Sequence, residues 1–223
     1  MTNGRRRALD LALIALVFVA GLALYIRTVA PTVVTIFDDS PEFQLVTFLL
    51  GVAHPTGYPL YTILGKLFTL IPLGDVAYRV NLMSAVFAAG ALAGVALLAR
   101  ELTGRRLPGV LAAAALAVSP VFWSQATIAE VYSLHILLLV LCMWALARWD
   151  AGRASLAPAA LFLGLGLAHH RMIALFLPAV AVLLLLAWRR GRPAAWPAKA
   201  VLPAAIGLVA PLALYLYIPL LGA

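Results

Sequence analysis

Charge is scarce in this chain, and acid is scarcer: 11% of its 223 residues are charged, and only eight are Asp or Glu. That excludes an ordinary soluble domain, in which about a quarter of the residues are charged. Cysteine is nearly absent. The single copy, Cys142, sits inside an apolar run, so no intrachain disulfide can form and no redox pair is offered. A Gly-rich phosphate cradle is missing, as is a basic face interleaved with aromatics, which removes nucleotides and nucleic acid from the expected partners. No fixed-period repeat is visible, and no linker sets off a soluble domain.

Apolar sequence fills the space instead. Hydrophobic residues make up 65% of the chain and the mean hydropathy is +1.06. Recurring apolar runs near 20 residues are the pattern of helices crossing a bilayer, and their lack of strict alternation excludes a barrel. The expected fold is all-α: a polytopic transmembrane bundle of about seven spans at 8–26, 80–98, 108–122, 131–147, 156–168, 172–188 and 201–221, forming one membrane domain over 1–223. The runs 108–122 and 156–168 are short for a hydrocarbon core about 30 Å thick. Arg5, Arg6 and Arg7 precede the first run, which is too long for a signal-peptide core and has a poor cleavage site at its end, so it reads as a retained signal anchor. The chain stops at Gly222-Ala223, directly after an apolar segment, which suggests a piece of a longer protein.

The net charge of +8 comes from short loops and fixes an expected topology. If the segment 58–73 lies at the membrane interface, twelve basic residues share the inner side (Arg5, Arg6, Arg7, Arg100, Arg105, Arg106, Arg148, Arg153, Arg189, Arg190, Arg192, Lys199). Four lie outside: Arg27, Lys66, Arg79 and Arg171. If that segment spans, every later loop flips and Lys66 is buried in lipid. The positive-inside rule selects the first arrangement, with the N-terminus cytoplasmic and residues 28–79 as a first outer loop carrying interfacial helices.

That topology collects most of the scarce polar groups on one face. Asp38, Asp39, Glu42 and His54 fall just after the first span. Asp39 or Ser40 can cap a helix, with Pro41 in its first turn and Glu42 complementing its dipole, and this needs no chemistry. A carboxylate beside lipid also suits a general base, because desolvation raises its pKa. Two adjacent acids lack the usual D-x-D spacing of a metal site, so no cofactor is expected, although the histidines leave a divalent ion as an alternative. His54 opens the turn HPTGYPLY, in which Tyr58 and Tyr61 suit the headgroup level. It has no evident acidic partner in its own loop. Gln125, Glu130 and Tyr132 lie in WSQATIAEVY, either as a helix start or as groups lining a site, and His135 follows one turn later. His169, His170 and Arg171 interrupt two apolar runs, where imidazole and guanidinium donors suit a phosphate. An ordinary hairpin loop is the alternative. Asp10, Glu101 and Asp150 lie near the inner surface beside arginines and are assigned no chemistry.

An acid-bearing first outer loop followed by HPTGYPLY, WSQATIAEVY and HHR resembles a bacterial membrane family related to the protein O-mannosyltransferases, within the GT-C superfamily of polyprenyl-phosphate-sugar-dependent glycosyltransferases. The resemblance runs from about Thr28 to Arg171. It implies a GT-C-like fold whose first outer loop carries the catalytic acid. Asp39 matches that acid and Glu42 the Glu that follows it, with Asp38 an extra neighbour that leaves the choice of base between the two aspartates.

The resemblance further implies inverting transfer of a sugar from a polyprenyl-phosphate donor to an acceptor hydroxyl, such as protein Ser or Thr, on the extracytoplasmic face of a bacterial inner membrane. The implied partners are the bilayer, the lipid-linked donor and the acceptor. His54, Tyr58, Tyr61, Gln125, Glu130, Tyr132, His169, His170 and Arg171 would bind substrate. A transporter would instead place polar groups at broken helices in the midplane, and a non-catalytic assembly protein would need no base at all.

Overall fold

The structure is a computed structural model that describes residues 3–35, 39–190 and 198–221. Among these the regular structure is entirely helical. The helices are α1 (Asn3–Ile26), α2 (Asp39–Leu49), α3 (Pro59–Thr69), α4 (Val76–Thr103), α5 (Leu107–Ala117), α6 (Pro120–Ala126), α7 (Tyr132–Asp150), α8 (Ala157–His169), α9 (Leu177–Arg189), α10 (Ala198–Val209) and α11 (Tyr217–Leu221). Short 3₁₀ turns lead into α9 (Arg171–Phe176) and α11 (Ala210–Leu216).

Five segments are long and apolar enough to cross a membrane: Gly4–Ile26, Val76–Thr103, Tyr132–Asp150, Arg171–Arg189 and Ala200–Leu221. The chain is that of an integral membrane protein. The expected span at 108–122 is broken: α5 and α6 meet at 73°, and only if the bent pair counts as one span does the number reach six. The break has a local cause. Pro120 disfavours helical backbone in the residue before it, and Ser119 is accordingly extended, at φ −63° and ψ 121°. The run at 156–168 is a 13-residue helix, α8, with a rise of about 20 Å, short for a hydrocarbon core.

The buried centre is α4, flanked by α1, α5 and α7. Its alanines (Ala85, Ala88, Ala89, Ala91, Ala96) are nearly solvent-free, and such small residues let helices approach closely without a large side chain between them. Gly109 shows how close: a Cβ there would stand 2.6 Å from the Ala96 carbonyl oxygen, so α5 could not lie on α4 with any larger residue. At the arginine-rich end, the buried Asp10 carboxylate of α1 takes the Arg106 Nε–H at 2.7 Å and also pairs with Arg100, which joins three helices. At the other end the Tyr25 hydroxyl donates to the Ala117 carbonyl at 3.2 Å.

The loop 28–79 contains two helices of 11 residues each, α2 and α3, packed on one another and on α4. Eleven residues rise about 16 Å, so neither can span alone. The entry into α3 is a tight turn: Gly57 and Tyr58 both take left-handed backbone (φ 84° and 45°), and Pro59 opens the helix. Lys66 reaches back 2.6 Å to the Phe48 carbonyl near the end of α2, satisfying an acceptor the helix leaves open. Asp75 caps α4 through the Tyr78 N–H at 2.7 Å and accepts the Thr32 hydroxyl at 2.6 Å. Asn81, fully buried on α4, donates to the carbonyls of Ala30 and Thr32 (2.9 and 3.1 Å) and accepts from Gln44 of α2 at 2.9 Å. The loop's position is therefore set by α4.

Candidate active site at the start of the second helix

The first turn of α2 presents its polar residues in different directions. Asp39 is exposed, Ser40 is fully buried and Glu42 is partly buried. Asp38 lies outside the described residues. Glu42 accepts the His54 backbone N–H at 2.7 Å and lies 2.6 Å from its ring Nδ1. This corrects the expectation that His54 lacks an acidic partner: the partner is 12 residues earlier in the same loop, brought back by the turn at Leu50 and Gly51. A carboxylate only accepts, so whenever the imidazole is neutral Nδ1 carries the hydrogen and Nε2 is left as the free ring nitrogen.

Tyr58 is the hub on the other side. Its ring is 5.2 Å from that of His54, 5.3 Å from Phe43 and 5.8 Å from His170. Burial, then Tyr132 and the Asp39 carboxylate, push its hydroxyl pKa up, while Arg171 opposes them. Tyr61 and His169 are fully buried behind it, stacked with rings 6.2 Å apart, and the His169 Nε2–H donates to the Val131 carbonyl at 2.9 Å. The two therefore support the site from the interior. His170 accepts the Met172 N–H at Nδ1 (3.2 Å), which leaves its proton on Nε2. Burial, helped by the neighbouring Arg171, holds the His170 pKa below the ordinary histidine range. Arg171 itself is exposed and enters no ion pair among the described residues.

Glu130 closes the constellation from the α6–α7 connection. It is 4% exposed, and its Oε1 accepts the Ser40 hydroxyl at 3.1 Å. Its backbone is held by Ser84 of α4, whose Oγ lies 3.3 Å from both the N–H and the carbonyl of Glu130. Burial raises its pKa to about 7, opposed by the Ser40 bond and reinforced by the Asp39 charge. Asp39, Gln125, Glu130 and Tyr132 line one cavity of about 750 Å³, whose remaining wall is apolar except for Ser119 and comes largely from α5, α6 and Ile136. His135 is buried against His170, at 5.2 Å between rings, and does not line it.

Ligand atoms of Asp39, Glu42 and His54 lie within 4.8 Å of one another, a spacing that could hold a divalent cation. The two contacts between Glu42 and His54 account for two of the three groups without one. Sequence reasoning missed Ser40 and Ser84 as members of the site. Ser40 showed only a helix-cap signal, and Ser84 lies in an unbroken apolar helix with no signal at all.

The family model described as the protein O-mannosyl-transferase TMEM260 N-terminal domain matches residues 39–192, from the first residue of α2 to just beyond α9. The chain belongs to that family. Protein O-mannosyl-transferase TMEM260 of Mus musculus is 38% identical over 146 residues, which cover 62% of this chain and 21% of the mouse protein. Protein O-mannosyl-transferase tmem260 of Dictyostelium discoideum is 31% identical over 137 residues, covering 60% of this chain and 16% of that protein. The chain thus spans about a fifth of the length of these curated relatives. No solved structure matches it. The TMEM260 N-terminal match begins at Asp39, so Asp39, Glu42, His54 and Glu130 all fall inside the family region.

Proposed function

We propose that this chain carries the donor and base site of a membrane glycosyltransferase of the GT-C type. It would move a sugar, mannose by the relatives' names, from a polyprenyl-phosphate donor to an acceptor hydroxyl such as a protein Ser or Thr. The observation that supports this reading most is the convergence of Asp39, Gln125, Glu130 and Tyr132 on one cavity walled by apolar helices. Such a cavity suits a substrate with a polar head and a lipid tail.

In the proposed reaction Asp39 takes the proton from the acceptor hydroxyl as its oxygen bonds to the anomeric carbon. The bond from that carbon to the phosphate oxygen breaks, the electron pair leaves with the lipid phosphate, and the configuration inverts. The His170 Nε2–H and the Arg171 guanidinium are the assigned phosphate donors, one neutral and one charged, with Gln125 and Tyr132 assigned to sugar hydroxyls; neutral His54, its Nδ1–H held by Glu42, offers Nε2 only as an acceptor. Glu130, near half-protonation at neutral pH, can donate as well as accept toward the same substrate. Glu42 is assigned to His54 rather than to a cation, so the reading includes no metal. The charge count supports an extracytoplasmic site and a cytoplasmic N-terminus.

The test supplies a polyprenyl-phosphate mannose and a Ser/Thr peptide to membranes containing the protein, with and without Asp39→Asn. Transfer that the substitution leaves intact would remove the base assignment. The 73° break between α5 and α6 is the one observation that favours a transporter, since broken helices line transport sites. Passage of the lipid-linked donor across vesicle membranes without sugar transfer would favour that second reading.

A further inference from the structure

Two contacts flank Asp39 on its own helix turn. Successive residues of an α-helix are rotated by about 100°, so Ser40 points about 100° to one side of Asp39 and Glu42 about 60° to the other. Ser40 is bonded to Glu130 and Glu42 to His54. The turn is therefore gripped on both sides of Asp39, whose side chain has no hydrogen bond or ion pair among the described residues. The body of α2 is held by the buried Gln44–Asn81 bond and by its packing on α3 and α4. The two grips act on its first turn, which carries the Asp39 carboxylate, and together they fix the direction of that turn.

The Ser40 grip is the more deeply built of the two. Both partners are nearly solvent-free, whereas Glu42 and His54 are each about a third exposed. Ser40 lies at 0% exposure and Glu130 at 4%, so an unbonded hydroxyl there would be a buried donor without an acceptor. The anchor point is itself rigid. Ser84 of α4 holds the Glu130 backbone, and the His169 imidazole at the end of α8 holds the next carbonyl, that of Val131. Glu130 thus transmits the position of two other helices to the first turn of α2.

We propose that Ser40 is a positioning residue for the reaction: its bond to Glu130 holds the first turn of α2 and aims Asp39 into the shared cavity. This rests on the proposed role of Asp39 as the base. Ser40 is fully buried and acts through Asp39, so its loss is read in the chemical step. Ser40→Ala lowers kcat about tenfold or more and changes the KM for polyprenyl-phosphate mannose less than threefold. Ser40→Thr, which keeps the hydroxyl, restores kcat. Combining Ser40→Ala with Glu130→Ala adds little to the larger single effect, because both remove the same bond.

A spectroscopic arm separates this proposal from the function it rests on. A spin label on Asp39→Cys, in a Cys142→Ala background, reports the motion of the first turn whether or not the protein is active. It becomes more mobile with Ser40→Ala and is restored with Ser40→Thr. An active protein whose Ser40→Ala variant keeps its kcat, or an unchanged label spectrum in that variant, overturns the proposal. A wild-type protein that transfers nothing overturns the glycosyltransferase reading, and the label alone then decides the role of Ser40.

Discussion

Glu42 holds His54 twice, through the backbone N–H at 2.7 Å and through the ring Nδ1 at 2.6 Å. The pairing closes the 12-residue excursion from α2 to the HPTGYP turn and orients the imidazole at the same time. Because one residue supplies both acceptors, the two partners are not equivalent. Glu42→Ala loses both bonds, whereas His54→Ala loses only the ring bond and keeps the backbone one. Both side chains are partly exposed, so each bond contributes on the order of 1 kcal/mol. Thermal melting of the purified protein should therefore show Glu42→Ala as the more destabilised variant, and equal losses would mean that the backbone bond contributes nothing.

Asp39→Asn should abolish sugar transfer while leaving the melting temperature within error of wild type. The side chain is exposed and unbonded among the described residues, and removal of a general base typically costs about 10²–10⁴-fold in rate. Asp38→Asn is the control. If Asp38→Asn is inactive and Asp39→Asn is not, the base lies one residue earlier.

Glu130 predicts a pH dependence of stability. Its pKa in the folded protein is about 7, above the 4.5 of an unperturbed glutamate, so the folded state holds the proton more tightly. The stabilisation is fully present below about pH 4.5 and is lost as the pH rises through 7. The melting temperature of the wild type relative to Glu130→Gln should therefore fall across that window. Asp75, whose pKa is lowered by the Thr32 hydroxyl and the Tyr78 N–H, acts in the opposite sense only below 3.8, and His170, whose pKa burial lowers, acts in the opposite sense inside the window but is common to both proteins and cancels in the comparison. A difference that stays flat from pH 4.5 to 7 would place Glu130 in a wetter environment than its burial indicates.

The charge count predicts opposite sides for the two ends of α4. In a Cys142→Ala background, Leu73→Cys should react with an impermeant thiol reagent in intact cells, and Arg105→Cys only after permeabilisation. The reverse pattern would move the whole candidate site to the cytoplasm.

Much of the helical layout was legible because length and hydropathy decide it: α1 and α4 each cover the run expected for them, and α7 starts one residue inside its own. The break at Ser119 was not read, although Pro120 was in plain view, because the apolar pattern continues on both sides with only that one small polar residue between them. The acids and histidines of the site were visible as residue types out of place in an apolar chain. Their pairing was not. Ser40 and Glu130 are 90 positions apart, and Glu42 meets His54 only because a turn folds the segment back, which hydropathy does not encode. His169 looked like a phosphate donor by type, but its full burial against Tyr61 depends on how α3 packs on α8, a contact between remote segments.

The stretch just before the site borrows its partners from parts of the chain that are made later. The carbonyls of Ala30 and Thr32 bond to Asn81, the Ala30 amide to the Thr127 carbonyl, and the Thr28 hydroxyl to the Trp123 indole. As the protein emerges from the ribosome, this stretch is therefore made well before anything exists to hold it. It can settle only once α6 has been inserted, so the first loop synthesised is among the last to be ordered. Chains halted near residue 104 should be cut by protease within 28–35, and chains halted beyond α7 should be protected there.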